Sequence, residues 1–192
     1  ELKVKDAVAR VRLIDCVGYP VEGATGFEEN GVPRLVKTPW SEEEVSFNQA
    51  AEDGTRRVIR DHSTIGILVT TDGSITDLPR SAYEAAEERA QSELHALGKP
   101  YVILLNCRVP ADAEELRAEL EEKYNAPVLA LNVEEANAEK LASVLERVLY
   151  EFPVACVDID LPDWMRVLDA DSPILSEVLG GVRAVAPKLV KM

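Results

Sequence analysis

Polar side chains follow several short apolar runs of the sequence, at the points where the runs end. The residues that could bind a ligand there are Asp15 and Gly18, Thr70 and Thr71, Asn106, and Asn132. Open α/β sheets bind ligands beyond the carboxyl ends of their parallel strands, which meet at one edge. We therefore expect Asp15, Thr70, Asn106 and Asn132 to lie along one edge of a single sheet. The other interpretation is that strand ends meet turns, which favour Asp, Asn, Thr and Gly in any protein.

The spacing of Asp15 and Gly18 is typical of a nucleotide site. A carboxylate at the end of a buried strand can hold the water shell of Mg²⁺ beside nucleotide phosphates. A glycine three residues later lets its backbone N–H approach the terminal phosphate. Asp15 is thus the predicted catalytic residue, and it is predicted to bind Mg²⁺ through water. Gly18 is a predicted nucleotide-binding residue. The phosphate-binding pattern GxxxxGK[ST] that completes such a site is absent from the 192 residues.

Asn106 is the candidate for recognition of the base. GTPases with this order of elements place Asn-Lys-x-Asp after the corresponding strand, and the Asp binds guanine. Here the segment reads Asn106-Cys107-Arg108-Val109, so the amide is kept and the carboxylate is lost. Guanine specificity should therefore be weak and adenine becomes plausible. Alternatively, Asn106 only caps the end of a strand.

The elements that must position these residues alternate along the chain. Residues 1–15 have the period-two pattern of a hairpin whose second strand runs through Val11–Ile14, and 19–46 form an irregular loop rich in Gly and Pro. Helices are predicted over 47–61 and around 83–97, 116–124 and 141–148, and buried strands over 65–69, 102–105 and 128–131. This order predicts an α/β fold with a mostly parallel sheet and helices on both faces. We expect the topology of a P-loop NTPase that lacks its first strand and its P-loop in this chain.

A further module is predicted after residue 153. Val154 to Leu161 has the pattern of one more strand, and the weakly amphipathic tail is interrupted by Pro173 and Pro187. We therefore expect a boundary after residue 153, with residues 154–192 beginning a second module.

Composition narrows the possible functions. Lys and Arg number 21 against 35 Asp and Glu, a net charge of −14, which disfavours nucleic acid and anionic membrane surfaces as partners. No apolar run is long enough to span a bilayer. The three cysteines, Cys16, Cys107 and Cys156, have neither disulfide nor zinc spacing, so a reducing cytosol is expected. Because the chain begins at Glu1, we expect it to be a piece of a longer protein.

Long strings distributed along the chain resemble the stage IV sporulation protein A family. The most specific of them run from Asp61 to Gly66 and from Thr70 to Ile75. Others are Asp15–Tyr19, Gly23–Glu28, Tyr83–Arg89 and Leu149–Val154.

This resemblance implies an ATPase of endospore-forming bacteria that descends from translation-factor GTPases and uses ATP with Mg²⁺. It implies polymerisation into the basement layer of the spore coat, in the mother cell at the outer forespore surface. The implied partners are further copies of itself, a small amphipathic membrane-anchoring peptide, and other coat and cortex proteins. The family's Walker A loop and sensor threonines lie upstream of Glu1, so Thr70 and Thr71 are not those threonines. Of the family's catalytic positions only the Walker B carboxylate maps onto this chain, at Asp15. The resemblance also implies that residues 1–153 are the carboxyl-terminal portion of the P-loop ATPase domain and that 154–192 are the entry to its middle domain.

A second hypothesis comes from a different class of protein. On this interpretation the chain is a non-catalytic assembly module with a vestigial nucleotide site, and the loop 19–46, with Phe27 and Trp40, is its docking surface.

Overall fold

The computed structural model describes residues 2–4, 7–29, 31–169, 171–189 and 191. The chain divides into two compact units, Glu1–Val148 and Leu149–Met192. Each unit is described by itself. The domain boundary expected after residue 153 stays a prediction.

The first unit begins with the expected hairpin, but its second strand is shorter than predicted. Strands β1 (Leu2–Val4) and β2 (Ala7–Ala9) pair antiparallel, and the turn between them lies outside the described residues. The strand predicted over Val11–Ile14 is wrong, because residues 10–18 belong to no strand. Leu13 is 74% exposed, as expected of a segment that no neighbouring strand holds by a ladder of hydrogen bonds.

The segment 19–46 is irregular apart from two very short hairpins. Strands β3 (Glu28–Glu29) and β4 (Val32–Pro33) form the first, and β5 (Leu35–Val36) and β6 (Val45–Ser46) the second. The loop is attached to the helix that follows it, because the Phe27 and Phe47 rings lie 5.8 Å apart.

Helix α1 (Phe47–Arg57) begins where the sequence predicts it. The Ser46 side chain caps it by accepting a hydrogen bond from the backbone N–H of Gln49. The helix continues as one π-helical segment, Val58–His62. The Lys99 ammonium group holds the end of that segment by donating to the carbonyl oxygens of Ile59, Arg60 and Ser63, at 2.6, 2.9 and 2.5 Å.

A parallel three-stranded sheet forms the centre of the first unit. Its strands are β7 (Gly66–Thr71), β8 (Tyr101–Asn106) and β9 (Val128–Leu131), in the spatial order β7-β8-β9. The strand β8 is buried along nearly its whole length, as its continuous apolar sequence predicts. The predicted α/β class with a parallel sheet is confirmed.

Helices cover both faces of this sheet. Helix α2 (Ser81–Ala96) and helix α3 (Glu114–Tyr124), which follows a 3₁₀ turn at Pro110–Ala113, pack with Ile103 and Leu105 on one face. Helix α4 (Ala138–Leu149) packs through Val144 against Leu104 on the other. Successive residues of β8 point to opposite faces, so one strand contributes to both parts of the core.

The strand β7 departs from the prediction of a strand buried on both faces. Val69 is 57% exposed, and among the described residues no strand pairs with the free edge of β7. Its first residue, Gly66, allows α2 to approach closely, because a Cβ atom there would lie 2.8 Å from Leu94 Cδ2.

The second unit is helical. Helix α5 (Asp163–Arg166) buries Met165, and helix α6 (Pro173–Val185) continues into a 3₁₀ turn at Ala186–Lys188. The strand predicted over Val154–Leu161 is wrong: only Pro153 makes a β-bridge, to Lys191, and the residues that follow find no strand partner. Pro173 begins α6 rather than interrupting it, since proline fits the first helical position.

Candidate functional site

A cleft of about 430 Å³ separates residues 14–19 from the free edge of β7. Its walls come from the Asp15–Gly18 loop, the last turn of α1, the strand β7 and one face of α2. Asp15 and Thr70 line the same cleft, although Asp15 does not lie on a strand.

The backbone of the Asp15–Gly18 loop is fixed at its last residue. Gly18 has φ +85°, a conformation that favours glycine, and its N–H donates to Thr55 Oγ1 over 3.0 Å. Thr55 lies in α1 and is buried, whereas the Asp15 side chain is exposed. The loop therefore presents a carboxylate to solvent and holds its glycine amide against a helix.

Tyr19, next to Gly18, points into the protein. It is buried, and the guanidinium carbon of Arg89 lies 4.5 Å from the centre of its ring. Burial, with the neighbouring carboxylate of Glu93, raises the pKa of Tyr19 well above its usual range. The residue therefore anchors the end of the loop in the core.

The remaining predicted residues meet at the carboxyl edge of the sheet. Thr71 is in register with Asn106 across β7 and β8, and Asn106 with Leu131 across β8 and β9. Asn132 directly follows β9. The structure thus brings the threonines and the two asparagines to one edge, as the sequence predicts. The prediction is wrong for Asp15, which lies in a loop outside the sheet.

Side chains at this edge connect the loops that leave the three strands. Ser74 Oγ accepts a hydrogen bond from the backbone N–H of Arg108, at 2.8 Å, and Asn132 Nδ2 donates to the Arg108 carbonyl, at 3.1 Å. Asn106 Oδ1 accepts from the backbone N–H of Val133, at 3.0 Å. The side-chain carbonyl oxygen of Asn106 therefore acts as a cap at the end of β8. The side-chain NH₂ group of Asn106 takes no part in that bond.

A charged network that includes the cleft residues Glu87 and Thr70 was not predicted from the sequence. Glu87 is 3% exposed, and its Oε1 accepts from Arg80 Nη2 and from Tyr124 Oη, each at 2.7 Å. Arg80 Nη1 also donates to Thr70 Oγ1, at 3.1 Å, which connects the network to the end of β7. Position 87 lies within the apolar stripe of α2. A carboxylate on the buried side of a helix indicates that a polar partner is buried next to it.

This network sets the charge state of its members. Burial alone would raise the pKa of Glu87, but hydrogen bonds from Arg80, Thr70 and Tyr124 outweigh it and lower the pKa below its ordinary value. Burial and the nearby Glu87 raise the pKa of Tyr124 to about 12. Glu87 is therefore a buried carboxylate that stays ionised.

The side chains around Asp15 fit Mg²⁺ better than a metal ion whose ligands all come from the protein. In the described part of the chain, no group of three or more His, Cys, Asp or Glu side chains could hold a metal ion. Mg²⁺ keeps several waters and is commonly bound through one or two carboxylates and the substrate phosphates. A single exposed carboxylate facing a cleft meets that requirement.

Among the described residues, no helix is both long enough and apolar enough to cross a membrane.

Comparison with known proteins places this chain in a family. Residues 1–153 match the model of the ATPase domain of stage IV sporulation protein A. The chain is 50% identical over 182 residues to stage IV sporulation protein A of Clostridioides difficile (strain 630), covering 93% of this chain and 37% of that protein. It is 50% identical over 160 residues to that of Bacillus subtilis (strain 168), covering 82% of this chain and 32% of the relative.

A third relative, stage IV sporulation protein A of Bacillus anthracis, is 48% identical over 161 residues, which is 83% of this chain and 33% of that protein. The chain belongs to the stage IV sporulation protein A family, and most of it corresponds to the domain described as an ATPase. It spans about a third of the length of these relatives. No solved structure matches it significantly.

Proposed function

We propose that the chain forms the carboxyl-terminal part of a P-loop ATPase domain, which hydrolyses ATP and drives polymerisation into the basement layer of the bacterial spore coat. The observation that carries this proposal is the cleft that Asp15 and Gly18 share with the end of β7. The match of residues 1–153 to a domain described as an ATPase supports it.

Each predicted residue has a role in this proposal. Asp15 holds Mg²⁺ through water, and the Gly18 amide contacts the terminal phosphate. The Asn106 amide, at the carboxyl edge of β8, contacts the base. Mg²⁺ neutralises charge on the transferring phosphoryl group when it is bound. Phosphate binding itself comes from the Walker A loop that the family resemblance places upstream of residue 1.

The whole protein, on this proposal, acts at the outer forespore surface in the mother cell. Its partners are further copies of itself, a small amphipathic peptide that anchors it to the membrane, and other coat and cortex proteins. These assignments rest on family membership. The acidic net charge of −14 favours protein partners over nucleic acid.

The decisive experiment replaces Asp15 in the full-length protein. Asp15→Ala should lower Mg²⁺-dependent ATP hydrolysis about 10- to 100-fold, the usual cost of losing a residue that acts on a metal through its outer shell. Sedimentation of filaments after ATP addition should fall with it. Asp77→Ala is the matched control, because Asp77 is exposed and does not line the cleft. Unchanged hydrolysis in Asp15→Ala would contradict the proposal.

Exposed apolar side chains favour a second candidate, the non-catalytic assembly module. Val32, Leu35 and Trp40, all in the segment 19–46, are 63%, 58% and 42% exposed. Filaments that form equally well with Asp15→Ala, and that are lost with Trp40→Ala, would support this candidate over the ATPase.

A further inference from the structure

The hydrogen bond from Gly18 to Thr55 has a consequence for the proposed ATPase. A backbone amide has one hydrogen, and here that hydrogen points to Thr55 Oγ1, at 3.0 Å. The proposed function requires the same amide to contact the terminal phosphate of ATP. Thr55 and that phosphate therefore compete for one donor.

We infer that Thr55 is a positioning residue that holds the Gly18 amide until a terminal phosphate displaces it, so that Thr55 weakens the preference of the loop for ATP over ADP. This inference rests on the proposed function and names a residue of the same site. Thr55 is 3% exposed and lines the cleft together with Gly18.

Thr55 belongs to a part of the molecule that is held firmly. It lies in the last turn of α1, and the Lys99 ammonium group fixes the π-helical segment that follows, through three carbonyl oxygens. Ser63 Oγ adds a hydrogen bond to the Ile59 carbonyl, at 2.9 Å. The hydroxyl of Thr55 is therefore an acceptor in a fixed place.

Gly18 is the part that can move. No atom lies within 4 Å of the place where a Cβ atom would be, and glycine has access to backbone conformations that other residues avoid. On one side the loop continues into exposed residues, with Val17 67% exposed, and on the other Tyr19 is anchored in the core. A rotation at Gly18 can thus transfer its N–H from Thr55 to a ligand in the cleft without moving α1.

The test compares ATP with ADP in the full-length protein. Thr55→Val removes the competing oxygen with little change of shape, so the ratio of the ADP to the ATP dissociation constant should rise about 2- to 10-fold, the equivalent of one net hydrogen bond. Thr55→Ser keeps the hydroxyl and should leave the ratio near the wild-type value. Thr64→Val is the matched control, because Thr64 is exposed and does not line the cleft. Both nucleotides are titrated as Mg²⁺ complexes by calorimetry.

The outcomes separate this inference from the proposed function. A normal Mg·ATP isotherm with an unchanged ratio in Thr55→Val overturns the inference alone, since a purely structural role alters both affinities together. Absence of any Mg·ATP isotherm in the wild-type protein overturns the proposed function and the inference with it. If Thr55→Val fails to fold, amide hydrogen exchange of the wild-type protein without nucleotide decides: slow exchange at Gly18 supports the contact, and exchange at the rate of an unprotected amide overturns it.

Discussion

In the sequence, Val109 stands where the Asn-Lys-x-Asp pattern of GTPases has its guanine-binding carboxylate. Its side chain is 46% exposed, just before the 3₁₀ turn at Pro110–Ala113, so it is accessible to a ligand. A carboxylate there would accept hydrogen bonds from guanine, and bonds to charged groups contribute about 1.5–3 kcal/mol each. Valine can accept none.

We therefore expect the full-length protein to bind ATP at least as tightly as GTP, and Val109→Asp to shift the preference towards GTP by about tenfold or more, the equivalent of one such bond. Competition binding with the two nucleotides measures this. Val32→Asp, which adds the same charge at another exposed position, should leave the preference unchanged. Wild-type protein that prefers GTP by tenfold would contradict the prediction.

Glu87 shows how one buried carboxylate affects stability. Its side chain is 1% exposed, and its pKa is lower in the folded protein than in the unfolded chain. A group with a lowered pKa contributes its full stabilisation above the unfolded value, about 4.5. That contribution is lost as the pH falls from there through the folded value.

Glu87→Gln should lower the free energy of unfolding at pH 7 by about 3–5 kcal/mol, because it leaves the partly buried Arg80 guanidinium without its counter-charge. It should also reduce the loss of stability as the pH falls below about 4.5. Urea titrations at several pH values measure both effects. Glu88→Gln is the control: its exposed pair with Lys123, at 2.6 Å, is worth less than about 1 kcal/mol. Equal pH dependence in wild type and Glu87→Gln would refute the argument.

At the scale of elements, the packing of α2 on β7 depends on one glycine. A Cβ atom at Gly66 would lie 2.8 Å from Leu94 Cδ2 and 3.2 Å from Tyr101 Cβ. Leu94 and Tyr101 are both buried, and the Cβ atom of Tyr101 is held by the backbone of β8. The added methyl group must therefore displace the Leu94 side chain and crowd the first residue of β8.

Gly66→Ala should destabilise the first unit by about 1–3 kcal/mol, the usual cost of overpacking a core. Gly54→Ala is the matched control. Gly54 lies inside α1, where its Cβ would meet only the Trp40 ring at an ordinary 3.4 Å, and alanine should stabilise the helix by up to about 1 kcal/mol. Denaturant unfolding followed by circular dichroism compares the two. The explanation fails if both variants shift stability in the same direction.

The sequence predicted helices and central strands well because their signals are local. The apolar stripe of α2, stopped at Gly98, and the continuous run of β8 each identify an element without knowledge of its neighbours. The segments Val11–Ile14 and Val154–Leu161 also have the sequence pattern of a strand. Neither forms one, because a strand needs a partner that its own sequence cannot specify.

The residues of the candidate site likewise differ in how far the sequence predicts them. Convergence of Thr71, Asn106 and Asn132 follows from strict strand and helix alternation and could be predicted. The contact between Gly18 and Thr55 joins residues 37 positions apart and depends on how a loop meets a helix, so no sequence period indicates it. Glu87 lies between these cases, since its place in an apolar stripe was visible and its partners were not.

At the scale of the whole molecule, residues 1–192 contain only part of what a phosphate-binding site requires. Affinity for phosphate in P-loop folds comes mainly from backbone N–H groups of the Walker A loop, its lysine and the adjoining helix N-terminus. The pattern GxxxxGK[ST] does not occur in these residues, and their net charge is −14. Asp15 adds negative charge, which attracts a nucleotide only through Mg²⁺.

The fragment 1–192 alone should therefore neither bind nor hydrolyse ATP measurably. The test is calorimetric titration with Mg·ATP up to about 1 mM, the weak end of the affinity scale, with the full-length protein as the positive control. Circular dichroism of the fragment must accompany it, because the free edge of β7 is a place where an isolated chain can pair with another copy and aggregate. A clear isotherm from folded fragment would mean that the cleft beside β7 binds nucleotide without a Walker A loop, and the proposed division of the site between the two parts of the domain would be wrong.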